Sequence, residues 1–219
     1  MAELTLVIGN RNYSSWSLRP WILAQHLGLK CREVRLTLDT PGFASEVRRY
    51  SPSARVPVLI DGALTIWESS AILEYLNELS GGAGWPQERA ARAIARAVAA
   101  EMHAGFAALR NDYPMNIRAR NRKVPMRPEL EAAIRRVDAL WSDCRERFGG
   151  AGPWLFGTYS AADAMYLPVA FRFQTYGSAG LGAVARSYAA TALADPLLAP
   201  WVAAAEAEAE TIEYSEVGR

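Results

Sequence analysis

With 219 residues, 51% of them hydrophobic, the chain has apolar material for a substantial core and a length that suits one large domain or two small ones. Its 24 basic and 23 acidic side chains leave a formal charge of +1, which argues against the broad electrostatic footprint of a nucleic-acid or anionic-membrane binder. The start MAELTLVIG has no basic leader region, no stretch approaches the roughly 20 apolar residues that span a bilayer, and Cys31 and Cys144 form no CxxC pair, so the expectation is a cytoplasmic chain without a disulfide framework or metal site.

The first eighty residues change period repeatedly, as a mixed α/β unit does. Leu4 to Ile8 is a short apolar run suited to a buried strand. Ser17 to Leu27 reads as a helix stopped by Gly28. Val34, Leu36 and Leu38 alternate with polar residues, the pattern of a strand with one wet face. Phe43 to Tyr50 reads as a short helix. Val58 to Ile60 and Leu64 to Trp67 flank Asp61-Gly62, a pair favoured in type I′ hairpin turns. Ser69 to Leu79 reads as a helix. The order β-α-β-α-β-β-α is that of a thioredoxin-like unit over residues 1–80.

Ser80-Gly-Gly-Ala-Gly-Trp-Pro86 breaks the composition and reads as a linker. Residues 87–219 carry helical periodicity only, which predicts an all-α bundle domain. Ile94, Val98, Met102, Phe106 and Leu109 mark one stripe of a long helix, and Leu130 through Phe148 form a bundle seam. Arg118 to Lys123 reads as a solvated basic loop. Ser160-Ala-Ala-Asp163 is a capping-box variant opening the next helix. Further helices are predicted near Ala183 to Leu193 and from Pro196 to Glu210, with Trp201 docked inward.

Three segments can carry chemistry. Asn12-Tyr-Ser-Ser-Trp-Ser-Leu-Arg19 lies between the first strand and first helix, where unpaired amides and the positive end of the dipole favour an anion. Ser14 and Ser15 add hydroxyl donors there, although one serine can equally serve as a plain N-cap. Arg55-Val56-Pro57 precedes a strand; Pro57 either makes a simple turn or, if cis, presents the Val56 backbone to an extended peptide. Trp67-Glu68-Ser69 opens the third helix, where a carboxylate would find amides and a hydroxyl and Glu68 could hold an ammonium group. A plain cap at Ser69 competes with that role. Of the two histidines, His26 reads as structural, and His103 lies in the long helix.

This ordered set resembles the glutathione transferase superfamily over nearly the whole chain, and its Ser-Ser-x-Ser-x-Arg spacing is most similar to the zeta class. The resemblance implies an α/β N-terminal thioredoxin-like domain, an all-α C-terminal helical bundle domain and a homodimer. It further implies glutathione as co-substrate: Val56 pairing with the cysteinyl backbone, Pro57 cis, Glu68 and Ser69 gripping the γ-glutamyl end, Arg55 near the glycyl end, and Ser14 donating to the sulfur with Ser15 as the alternative. The implied reaction is attack of the activated thiol on a small, largely apolar electrophile. Met102, Phe106, Arg110, Tyr113 and Met115 are the candidates for that electrophile's wall. A glutathione-dependent isomerase of the maleylacetoacetate type is the alternative, set second because Trp16 stands where that class carries cysteine. A non-catalytic binding module is the third reading.

Overall fold

The computed structural model describes residues 3–150 and 152–219, so the first two residues of the start read above lie outside them. Strand β1 (Leu4–Ile8) is buried at every position because β2 (Cys31–Arg35) flanks it on one side and β3 (Val58–Asp61) on the other. The sheet order is β2-β1-β3-β4, with β4 at Leu64–Trp67. β1 pairs with β2 in parallel, Leu4 opposite Cys31, while β1 with β3 and β3 with β4 are antiparallel. Helix α1 (Ser15–His26) makes the parallel crossover, α2 (Phe43–Val47) is a short turn of helix, and α3 (Ser69–Leu79) returns over the sheet. This is a thioredoxin-like arrangement.

The remaining elements are helical: α4 (Arg89–Ala104), α5 (Ala107–Asp112), α6 (Pro128–Phe148), α7 (Ala161–Tyr176), α8 (Ala183–Leu193) and α9 (Ala199–Ala207), with short 3-10 turns at Pro196–Leu198 and Glu213–Ser215. Helix α7 is the hub. It packs on α4 and α8 and also reaches α1 of the sheet unit, which explains why its sequence is apolar nearly all round. One continuous core runs from Leu6 and Leu18 through Met102 to Trp141 and Trp201.

Helix α2 ends at Val47, short of Tyr50, and α9 ends at Ala207, short of Glu210; four further expectations change in the structure. Helix α1 begins at Ser15, capped by Ser14, two residues before the predicted start, because the cap hydroxyl takes over an orphan amide. Strand β2 runs from Cys31 to Arg35, so Leu36 and Leu38 lie beyond the strand. The hairpin loop is Gly62-Ala63, with Asp61 still paired opposite Leu64; only Gly62 has positive φ, at 57°, so the type I′ pattern on Asp61-Gly62 does not occur. The long helix predicted through Leu109 is two helices, for Phe106 has φ 61° and breaks the ladder. Glycine suits the break, since a Cβ on Gly105 would lie 2.9 Å from the Glu101 carbonyl oxygen.

Two sequence motifs hold their predicted form. The capping box at Ser160 and Asp163 is complete, and the Asp163 carboxylate also accepts from the Leu155 amide and the Tyr188 hydroxyl. His26 is structural: it bonds Asp195 at 2.6 Å and stacks on Tyr159.

Candidate active site

The serines of the first loop sit at the start of α1, and their hydrogen bonds differ. Ser14 Oγ donates to Ser17 Oγ at 2.7 Å and accepts from the Ser17 amide at 3.4 Å. Ser17 Oγ in turn accepts from the Gly9 amide at the end of β1. Ser14 therefore caps α1, and it also lines the second cavity described below. Ser15 is also nearly buried and lines the same cavity.

The Val56–Pro57 peptide bond is cis. Val56 stands just before β3, and its amide and carbonyl are not paired within the sheet. Next along the wall, Glu68 occupies the N-cap position of α3 with φ 69°, so Glu68, not Ser69, is the cap residue. A non-glycine residue in such a region costs on the order of 1–3 kcal/mol. The Ser69 hydroxyl is buried and finds no partner among the described residues. A cavity of about 330 Å³ joins Trp16, Arg55, Val56, Glu68, Ser69 and His103.

His103 enters this cavity from α4. Its Nε2 lies 3.9 Å from Glu68 and its ring meets Trp16 edge-on at 5.4 Å. Burial pushes the imidazole pKa down, the Arg19 and Arg110 cations deepen that shift, and Glu68 opposes it.

A second cavity of about 340 Å³ adjoins the first at Trp16. Ser14, Ser15 and Val56 form one side, Arg110, Met115 and Arg172 another, and Tyr214 of the C-terminal segment a third. Of the five residues proposed for an electrophile wall, Arg110 and Met115 line it. Met102 is fully buried in the core, Tyr113 stacks on Tyr176 at 4.5 Å, and Phe106 makes the break between α4 and α5; none of the three lines either cavity. The predicted stripe packs into the core instead, where Met102 lies with Val98 and Leu109 and Phe106 packs against them.

Arg172, Tyr13 and Tyr214 were not singled out in the sequence. Arg172 had a signal, being the one charged residue among the apolar positions of Tyr166 to Phe173. The arginines of the basic segment are also not simply solvated: Arg118 donates to the Glu208 and Glu210 carbonyls, and Arg122 pairs with Glu216 at 2.6 Å. Among the described residues, no His, Cys, Asp and Glu cluster could hold a metal ion, and no helix is long and apolar enough to cross a membrane.

A thioredoxin-like unit whose α1 opens on two buried serines, beside a cavity that also takes residues from the helical region, defines a recognisable class of architecture. Residues 13–79 match the family model for the glutathione S-transferase N-terminal domain. The dichloromethane dehalogenase of Methylophilus leisingeri is 60% identical over 62 residues, covering 28% of this chain and 23% of that protein. The chain spans less than a quarter of the length of the curated relatives it matches. Among solved structures, a glutathione transferase homolog from Burkholderia GL BGR1 with bound glutathione superposes with a TM-score of 0.69 at 22% identity, over 94% of this chain and all of that one. The Tau class glutathione S-transferase of mango, Mangifera indica, gives 0.71 at 19% identity, over 98% and 96% of the two chains. The fold is that of glutathione transferases, and residues 13–79 match that family's N-terminal domain.

Proposed function

We propose that the protein binds glutathione along the first cavity and activates its thiol for attack on a small electrophile held in the second. The observation that carries this reading is the buried Ser69 hydroxyl, without a partner among the described residues, beside the Glu68 carboxylate at the start of α3. That pairing suits a γ-glutamyl head, whose carboxylate would take the hydroxyl and helix amides and whose ammonium would take Glu68. The unpaired Val56 backbone suits the peptide that follows, and Arg55 at the rim suits its terminal carboxylate.

Activation falls to the serines. A free thiol has a pKa near 8.5, so only a few per cent is ionised at neutral pH. Ser14 can donate to a thiolate if its bond to Ser17 reverses. Ser17, already accepting from Gly9, would then donate to Ser14, and Ser14 to the sulfur, with no bond lost. The hydroxyl remains a donor throughout and forms no covalent bond. The thiolate attacks the electrophilic carbon, forming the C–S bond as the leaving group departs with its electron pair. A homodimer and a cytoplasmic location belong to the same proposal.

Calorimetry with glutathione tests it, followed by thiolate absorbance of the complex against pH. Binding with a thiol pKa below the free value supports the reading. No binding at millimolar glutathione overturns it.

A further inference from the structure

The second cavity has an unusual charge distribution. Arg55, Arg110 and Arg172 line it, and no Asp or Glu does. Arg172 is 4% exposed; its terminal nitrogen Nη1 donates to the carbonyls of Arg110 and Tyr113, and its Nε has no acceptor among the described residues. Arg110 donates to the Gly105, Met102 and His103 carbonyls, which leaves its buried Nη1 without an acceptor. Behind them Arg19 is fully buried; its Nε donates to the Met165 carbonyl, and among the described residues its two terminal nitrogens find no acceptor. None of Arg19, Arg110 and Arg172 forms an ion pair among the described residues.

The carbonyl contacts do not balance this charge. Arg110 closes the C-terminal end of α4, and Arg172 closes that of α5. Each helix end supplies about half an elementary negative charge at most. Roughly two of the three positive charges therefore remain uncompensated, in a place where a lone buried ion is strongly disfavoured. Burial pushes Arg172 down to about 9, with Arg110 adding to the shift, so it is still protonated at neutral pH. Burial likewise lowers Arg110 and Arg19. The Trp16 ring screens two of the cations, with the guanidinium carbons of Arg19 and Arg110 at 4.2 and 4.5 Å from its centroid. Arg172 has no such cover on the cavity side.

We infer that the second cavity is an anion subsite, and that the electrophile it takes carries a carboxylate received by Arg172 and Arg110. The inference rests on the thiol-transfer reading and narrows its second substrate from a largely apolar molecule to an acidic one with an apolar body. Ser14 and Ser15 line the same cavity, so a substrate anchored at the arginine end turns its other end toward the thiol. Met115 and Tyr214 supply the apolar contacts for the part between.

The test uses the full chain saturated with S-methylglutathione, which occupies the thiol site without reacting. Para-nitrobenzoate and para-nitrobenzamide, matched in size and differing in charge, are titrated by calorimetry. The carboxylate is expected to bind at least about tenfold more tightly, the scale of a charged hydrogen bond. That preference should disappear in Arg172→Gln, whose amide can still close the Tyr113 carbonyl, and persist in part in Arg172→Lys. Equal affinity for the two probes overturns the inference, as does an undiminished preference in Arg172→Gln and Arg110→Gln. Displacement of S-methylglutathione by the benzoate also overturns it, because the arginines would then be reading the peptide's own carboxylate. If Arg172→Gln does not fold, the wild-type contrast and Arg110→Gln decide. If S-methylglutathione itself fails to bind, the thiol-transfer reading falls, and the benzoate–benzamide contrast on the free chain still decides the anion subsite.

Discussion

The Arg110 guanidinium carbon stands 4.5 Å from the centroid of the Trp16 ring while its nitrogens close the last carbonyls of α4. One side chain thus ties the end of a helix in the bundle to the start of α1 in the sheet unit. Trp16, like Arg55 and Val56, lines both cavities, so the contact holds part of the wall they share.

Trp16→Leu removes the ring from over Arg19 and Arg110 and leaves both cations less well covered. A desolvated cation–π contact is worth about 2 kcal/mol, so the variant should lose on the order of 2–4 kcal/mol in urea denaturation. Trp16→Phe should recover part of that loss. A leucine variant as stable as wild type would show that the stacking contributes nothing.

Ser14→Ala should have two separable effects. Loss of the N-cap lowers stability by about 1 kcal/mol. Loss of the donor raises the pKa of the bound thiol toward its free value, read as thiolate absorbance. Ser15→Ala should leave both nearly unchanged, for Ser15 does not cap α1. If the thiol shift survives in Ser14→Ala and vanishes in Ser15→Ala, the donor role passes to Ser15.

The two halves of the fold were legible to different depths in the sequence. Leu4–Ile8, Leu64–Trp67 and Ser69–Leu79 announce themselves because each has a clear period and its own punctuation. The Ser160–Asp163 box was equally plain, since capping is a local event. The α4–α5 break was not, because Leu109 continues the helical spacing past Phe106, and the one local mark, Gly105, stands inside that spacing. Among the candidate site residues, Ser14, Val56, Glu68 and Ser69 stand on short local motifs. Arg172 does not: its position in the cavity depends on how α7 meets the end of α5, a long-range contact that no spacing encodes. Trp16 was visible as a departure from one class, but its place beneath two guanidinium groups is tertiary.

His103 gives a pH dependence with a definite sign. Its pKa in the folded chain is depressed, through burial first and then the neighbouring Arg19 and Arg110 cations. The unfolded chain therefore takes up a proton more readily as pH falls below about 6.5, and folding stability declines there. Above that range both states are neutral and the contribution is flat. His103→Gln should flatten this part of the stability curve between pH 7 and 5, measured by urea denaturation in closely spaced buffers. An unchanged slope in the variant would show that the acid sensitivity arises elsewhere.

The C-terminal segment is tied down at Glu216, whose carboxylate accepts from Tyr13 at 2.7 Å, Asn116 at 2.9 Å and Arg122 at 2.6 Å. Desolvation works against that charge, yet these donors, with Arg219, hold the carboxyl below its ordinary pKa. Tyr214 and Ser215 belong to the wall of the second cavity, so the anchor beside them fixes the shape of that wall. Glu216→Ala removes the shared acceptor and leaves Arg122 without its partner. The expected loss is on the order of 1–3 kcal/mol, the scale for leaving a part-buried polar group unsatisfied. It should appear first as faster amide hydrogen exchange over residues 212–219, while β1 and β3 stay protected. Glu216→Gln keeps an acceptor for Tyr13 or Asn116 and should fall between the two. Exchange accelerating equally in the sheet and the tail would mean that Glu216 supports the whole fold and not the cavity wall alone.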